Sequence, residues 1–366
     1  MSLRLLTAFG FLLSTLPLLS ASAAPLPRMH PGSPWYQRVD ASAVHPNSSG
    51  PAGMIATLSG LGGFGNTRLQ IDFGIHVLYA QPGTPTQPLI SIPSVNPDDA
   101  YYLPDCEALA TPIPLPVGGA IEGQVGYSCD NLADDCHLLV VQNNEIFEVY
   151  RANLSAQGLQ SQCLARWRTD ALYPATGRGE HCTSADAAGF PIAPLLFNAD
   201  EVATAVAAQT DLGHAIRFIL PNNRMASDVS LGGVLGRLYV RPATHAGGPS
   251  GPVASVPYGA RLRLRADFPM SNYNAAAQVI LRTLQRFGMV LADGGSIALT
   301  AESDRYTSNT WASLGINSRV FDLTPNAQKV FITDFDVIDT GPRIAETYDC
   351  VRSAPSTDPL LANGFE

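Results

Sequence analysis

His137-Leu138-Leu139-Val140-Val141-Gln142-Asn143-Asn144-Glu145-Ile146-Phe147-Glu148-Val149-Tyr150 reads as two strand-forming runs joined by a pair of asparagines. Asparagine tolerates positive φ, so Asn143-Asn144 suits a two-residue hairpin turn. β-Branched and aromatic residues fill both arms, and no proline interrupts them. Side chains alternate along a strand, so Glu148 and Tyr150 share a face opposite Phe147 and Val149. The rest of the chain is read outward from this hairpin.

A second hairpin is predicted from Phe287 to Glu302, turning at Gly294-Gly295. Further strand signals lie at Met54–Leu58, Leu69–Tyr79, His214–Leu220, Arg237–Arg241, Ala260–Phe268 and Lys329–Ile338. The Ala260 segment alternates cleanly, with Leu262, Leu264, Ala266 and Phe268 on one face and Arg261, Arg263, Arg265 and Asp267 on the other. Helical spacing is confined to two stretches. Ala276, Ile280, Leu284 and Phe287 mark a helix over about 272–286. Asn198, with Glu201 three residues on, opens a shorter one that stops by Gly213. The chain holds 29 Pro and 32 Gly, which favours turns and shortens helices. The expected fold is mainly β: an antiparallel β-sandwich, jelly-roll-like, with a few inserted short helices.

The ends read differently from the body. Arg4, an apolar run over Leu5–Leu19 and the small-x-small triplet Ala21-Ser22-Ala23 predict a secretory signal peptide over 1–23. The run is short of the roughly 20 residues that a membrane-spanning helix needs, and no later stretch is apolar for long enough. Residues 24–53 read as a disordered or extended lead-in, 54–350 as a single β-rich domain, and 351–366 as a flexible tail. The expected location is therefore secreted, extracellular or periplasmic.

Such a compartment changes how the cysteines are read. There are six, at 106, 129, 136, 163, 182 and 350. An even count in an oxidising space predicts three disulfides. Short loops favour Cys129–Cys136 and Cys163–Cys182, which leaves Cys106–Cys350. No C-x-x-C pair is present to suggest zinc. Asp334 and Asp336 could share a strand face and hold calcium, or form a solvated edge; no metal is assigned. Gly60-Leu61-Gly62-Gly63-Phe64-Gly65 spells a dinucleotide fingerprint, but a strand-like run follows it where phosphate binding needs a helix. No cofactor is expected. A formal net charge of -9 argues against nucleic acid as a partner.

Polar residues inside otherwise apolar runs are the candidate site. Glu148, Asp186 and Glu201 are the carboxylates available for acid–base work. Asp186 sits among small residues, either buried with a raised pKa or holding backbone N–H groups in a turn. His214 and Arg217 would orient a substrate group. Tyr150 could move a proton in an elimination. Arg263 and Arg265, with Arg261, would stand about 7 Å apart along one strand face. They could clasp a carboxylate polymer or pair with neighbouring acids.

The order His137-Leu138-Leu139-Val140-Val141 to Glu148-Val149-Tyr150, then Thr183-Ser184-Ala185-Asp186-Ala187-Ala188-Gly189-Phe190-Pro191-Ile192, then His214-Ala215-Ile216-Arg217-Phe218, then Gly288-Met289-Val290-Leu291-Ala292-Asp293-Gly294-Gly295-Ser296 resembles a functionally uncharacterised family of exported bacterial proteins. The likeness spans roughly residues 100–300. It departs at His181-Cys182, where Gly-Trp is expected. The resemblance implies export and shared polar positions, and no reaction. On these grounds the expected function is a carbohydrate-active enzyme, glycoside hydrolase or polysaccharide lyase, acting on an extracellular polysaccharide. The alternative is a non-catalytic glycan-binding or structural cell-envelope protein.

Overall fold

A computed structural model describes residues 24–93, 100–131 and 134–357. The expected signal peptide and the end of the tail lie outside the described residues. Strands outweigh helices, and they form several open sheets.

The largest sheet has six strands in the spatial order Ile71–Ile75, Leu299–Glu302, Ile216–Leu220, Met289–Gly294, Arg261–Leu264 and Phe335–Ile338. It is mixed, where purely antiparallel pairing was expected. Ile71–Ile75 runs parallel to Leu299–Glu302, and Ile216–Leu220 parallel to Met289–Gly294. A four-stranded sheet pairs Val77–Tyr79, Leu138–Gln142, Glu145–Tyr150 and Cys163–Arg168. The hairpin over 138–150 forms as expected, in the register Leu139 opposite Glu148. Its alternation serves two cores. Leu139, Val141, Ile146 and Trp167 pack into the main core, while Leu138, Val140, Phe147 and Val149 pack into a smaller one.

The second expected hairpin does not form. The Ile216–Leu220 strand inserts between its two arms, with Ile219 N–H on Ala298 O and Gly295 N–H on Leu220 O. Gly294 and Gly295 serve close approach and not a two-residue turn: a Cβ on Gly294 would meet the Asn222 side chain at 2.8 Å, and one on Gly295 would meet Ile219 at 2.5 Å. Met54–Gly60 is a helix where a strand was expected. Met54, Ile55 and Leu58 all face the core, a spacing that fits a helical stripe as well as a short apolar strand. The two expected helices are Ala199–Ala207 and Ala275–Arg286. Asn198 Oδ1 accepts Glu201 N–H and Asn274 Oδ1 accepts Ala277 N–H, each closing a first turn.

Three disulfides form, and only Cys129–Cys136 is paired as expected. The others are Cys106–Cys163 and Cys182–Cys350, which replace Cys163–Cys182 and Cys106–Cys350. Backbone pairing decides this. Tyr102 N–H on Gln162 O and Glu107 N–H on Leu164 O lay Cys106 beside Cys163. Gly179-Glu180 pairs with Val351-Arg352, which brings Cys350 to Cys182. Loop-closure cost grows only slowly with length, so sequence proximity is a weak guide to partners. Among the described residues no helix is long and apolar enough to cross a membrane.

Candidate active site

One lateral file of residues crosses the six-stranded sheet. Asp72 is paired with Thr300, and both Arg217 and Arg261 are in register with Val290. Arg217 Nη1 donates to Thr300 Oγ1 at 2.7 Å, which joins the two halves of the file. The loop Thr183–Pro191 lies against this row, held by Ala188 N–H on Ala292 O. Asp186 in that loop grips Arg217 through two bonds, Nε–Oδ2 at 3.2 Å and Nη2–Oδ1 at 2.9 Å. Both partners are buried. Such a fork-to-carboxylate pair fixes the guanidinium in one orientation.

Beside this pair is a pocket of about 290 Å³, bordered by Asp72, Glu122, Asp135, His137, Arg217 and Asp293, with Asp134 also on its wall. Asp293, from the strand next to that of Arg217, accepts Gly294 N–H and lies 4.0 Å from Arg217 Nη2. Burial, reinforced by the charge of Asp186, pushes Asp293 up to about 8 against the pull of Arg217. Glu122 takes the opposite course. Burial acts to raise it, but the hydrogen bond and charge of His137 outweigh burial and hold it below the usual carboxylate range. His137 Nδ1 is 2.7 Å from Glu122, and its Nε2 is 3.1 Å from the Ala185 carbonyl. Both ring nitrogens face acceptors, which requires the doubly protonated ring. Burial works against that charge, yet Glu122 carries the ring up to about 10. Burial, with Glu122 adding to it, also raises Asp72.

The expected site residues divide among several places. Asp186 and Arg217 meet at the pocket. Tyr150 stands just behind it, its ring 5.5 Å from that of His137 and its hydroxyl hydrogen-bonded to Asp135. Burial and then Asp135 raise its phenol well above the ordinary value. Glu148 is buried in the main core, where it accepts Ile192 N–H and Ala193 N–H at 2.8 Å and Trp167 Nε1–H at 3.0 Å. Burial lifts it to about 7 despite those donors. Glu201 and His214 form a separate cluster: His214 Nε2 is 3.2 Å from Glu201, which also pairs with Arg28. Burial opposes ionisation there, but Arg28 and His214 bring Glu201 down to about 2.

Arg263 and Arg265 lie elsewhere, with internal partners. Arg263 pairs with Asp336 at 3.0 Å and Arg265 with Asp267 at 3.2 Å. Asp334, the other residue considered for calcium, accepts Phe331 N–H in a turn. Among the described residues the pocket carboxylates do not converge closely enough for three to share one ion. All three tryptophans are buried.

Sequence reasoning missed Asp72, Glu122, Asp135, His137 and Asp293 as site members. His137 and Asp293 stood inside stretches already singled out, His137 at the head of the apolar run Leu138–Val141 and Asp293 at the end of Met289–Ala292. Glu122 lies in a turn with no periodic signal. No known protein family, curated protein or solved structure matches the chain.

Proposed function

We propose that the chain is an exported glycoside hydrolase whose catalytic centre is the pocket between Glu122 and Asp293. The observation that carries this is a pair of carboxylates in opposite settings at one pocket: Asp293 buried close to the Asp186–Arg217 pair, and Glu122 in an ion pair with His137. Glycosidic cleavage needs a protonated acid and an ionised partner at the same pH. Asp293, protonated up to about pH 8, would give its proton to the leaving oxygen. Glu122, ionised by its His137 contact, would act on the opposite side as base or nucleophile. Arg217 and Thr300 would hold the ring between them. Export rests on the predicted leader and fits the three disulfides.

The charge of the pocket narrows the polysaccharide class. Even with Asp293 protonated, Asp72, Glu122, Asp134 and Asp135 outnumber Arg217 and His137, and Arg217 is already neutralised by Asp186. A uronic-acid polymer would be repelled, so elimination through Tyr150 with Arg217 as carboxylate clamp is the weaker reading. A neutral or amino-bearing glycan fits better.

Reducing-end release from neutral, amino-bearing and uronic-acid polysaccharides tests the reading. Wild type should act on one of the first two. Asp293→Asn and Glu122→Gln should each lower the rate by about 10²–10⁴-fold, with circular dichroism unchanged. Saturable binding without turnover would leave a glycan-binding protein in its place. Variants as active as wild type would remove both carboxylates from the mechanism.

A further inference from the structure

A second cavity, distinct from the acidic pocket, has aromatic rings on several of its walls. It measures about 500 Å³ and is walled by Trp35, Trp167, Tyr173 and Phe190, with several prolines. Its size falls in the range of small-molecule sites, and aromatic walls with a minority of polar side chains are their usual character. Trp35 meets Phe190 edge-on at 4.8 Å, and Trp167 meets Tyr173 edge-on at 5.1 Å. These contacts hold the walls in place.

The deeply buried charged group at this cavity is Arg261, which is 3% exposed. Its Nε donates to Phe287 O, Nη1 to Pro34 O and Nη2 to Gln37 O. Three of its five N–H donors are thereby used and two remain. Among the described residues no carboxylate forms an ion pair with it. Burial alone depresses its pKa, to about 10, with no acidic neighbour pushing back. The other charged groups at the cavity are committed or solvated. Arg241 pairs with Glu180, and Asp339 is exposed and holds Gly341 N–H. A buried cation without a counter-charge is costly, and an anion supplied from outside would offset that cost.

We infer that this cleft binds a small aromatic carboxylate, with its ring against the Trp35 and Phe190 walls and its carboxylate on Arg261. A planar monoanion matches one guanidinium, because the fork geometry suits a carboxylate. A phosphate dianion would bring two charges to a single cation in an apolar setting. A neutral ring would leave the guanidinium uncompensated.

Titration calorimetry with 2-naphthoate and 2-naphthamide decides the matter, because the two probes share shape and differ in charge. The acid should bind saturably and the amide at least about 10-fold more weakly, the usual discrimination for one charge-assisted hydrogen bond. Arg261→Gln should erase that ratio. If this variant does not fold, Tyr173→Ala serves instead: it thins the ring wall and should weaken both probes while keeping their ratio. Equal affinity of wild type for the two probes, or no saturable binding of either, overturns the inference. The assay uses no glycan, so its outcome is independent of the hydrolase reading.

Discussion

Arg217 and Arg261 are both buried guanidiniums, they face the same way on one sheet, and only Val290 separates them. Their surroundings differ in one respect. Arg217 is held by a carboxylate, Asp186, with Thr300 as a second partner. Arg261 is held by three backbone carbonyls and, among the described residues, by no anion. The first arrangement is complete in itself, so the chemistry beside it falls to the neighbouring acids, Asp293 above all. The second is complete in hydrogen bonds but not in charge, and it lines an aromatic cleft. The loop over Thr183–Pro191 serves both, with Asp186 on the acidic side and Phe190-Pro191 on the aromatic side.

The largest effect should come from breaking the paired arginine. Asp186→Ala leaves Arg217 buried without its fork-to-carboxylate partner, which costs about 3–5 kcal/mol. Arg261→Met removes a charge with no counter-ion among the described residues, and the carbonyls it leaves behind cost about 1–3 kcal/mol. Urea denaturation of both variants measures the difference. A larger loss for Arg261→Met would reverse the comparison and make the carbonyl cage the stronger clamp.

A smaller effect separates the two regions by pH. Asp293 binds its proton up to about pH 8 in the folded chain, while an unfolded aspartate releases it near 4. The fold therefore gains from this residue below pH 4, and loses that gain as pH rises through 8. Arg261 stays charged over the whole window and adds no slope. Asp293→Asn should flatten the fall in stability between pH 4 and 8. Its melting temperature at pH 8 should rise by roughly 1–2 °C, the response to about 1 kcal/mol in a chain of this size. An unchanged pH profile would show that Asp293 titrates normally, and the proposed acid would be lost with it.

How much of this could be read from the chain depends on how local the signal is. The 138–150 hairpin and the 275–286 helix were legible because period and cap residues lie within a few positions of each other. Asp186 and Arg217 were legible as polar interruptions in apolar runs, although nothing local said they would meet. The parallel pairing of Ile216–Leu220 with Met289–Gly294 was not legible, because the intervening chain carries no strand-order signal. The Gly294-Gly295 pair misled for the same reason: glycine marks a turn and a close backbone approach with the same letter. Glu122 escaped notice because a turn residue has no periodicity, and its role depends on His137, fifteen positions away.

The smallest effect lies at the end of the same strand as Arg261. Along Arg261, Arg263 and Arg265 the guanidinium passes from fully buried, through Asp336-paired and mostly buried, to 46% exposed. Arg265 holds Asp267 and the Thr333 carbonyl at 3.2 Å, both at the surface. Exposed pairs gain little, because water screens the charges and long side chains lose freedom. Arg265→Ala should therefore shift stability by less than about 0.5 kcal/mol and leave binding of 2-naphthoate unchanged. A weakening of naphthoate binding in this variant would mean that the aromatic cleft draws its anion by the summed field of the three arginines. The distinction between Arg217 and Arg261 would then be one of collective charge and not of a single missing partner.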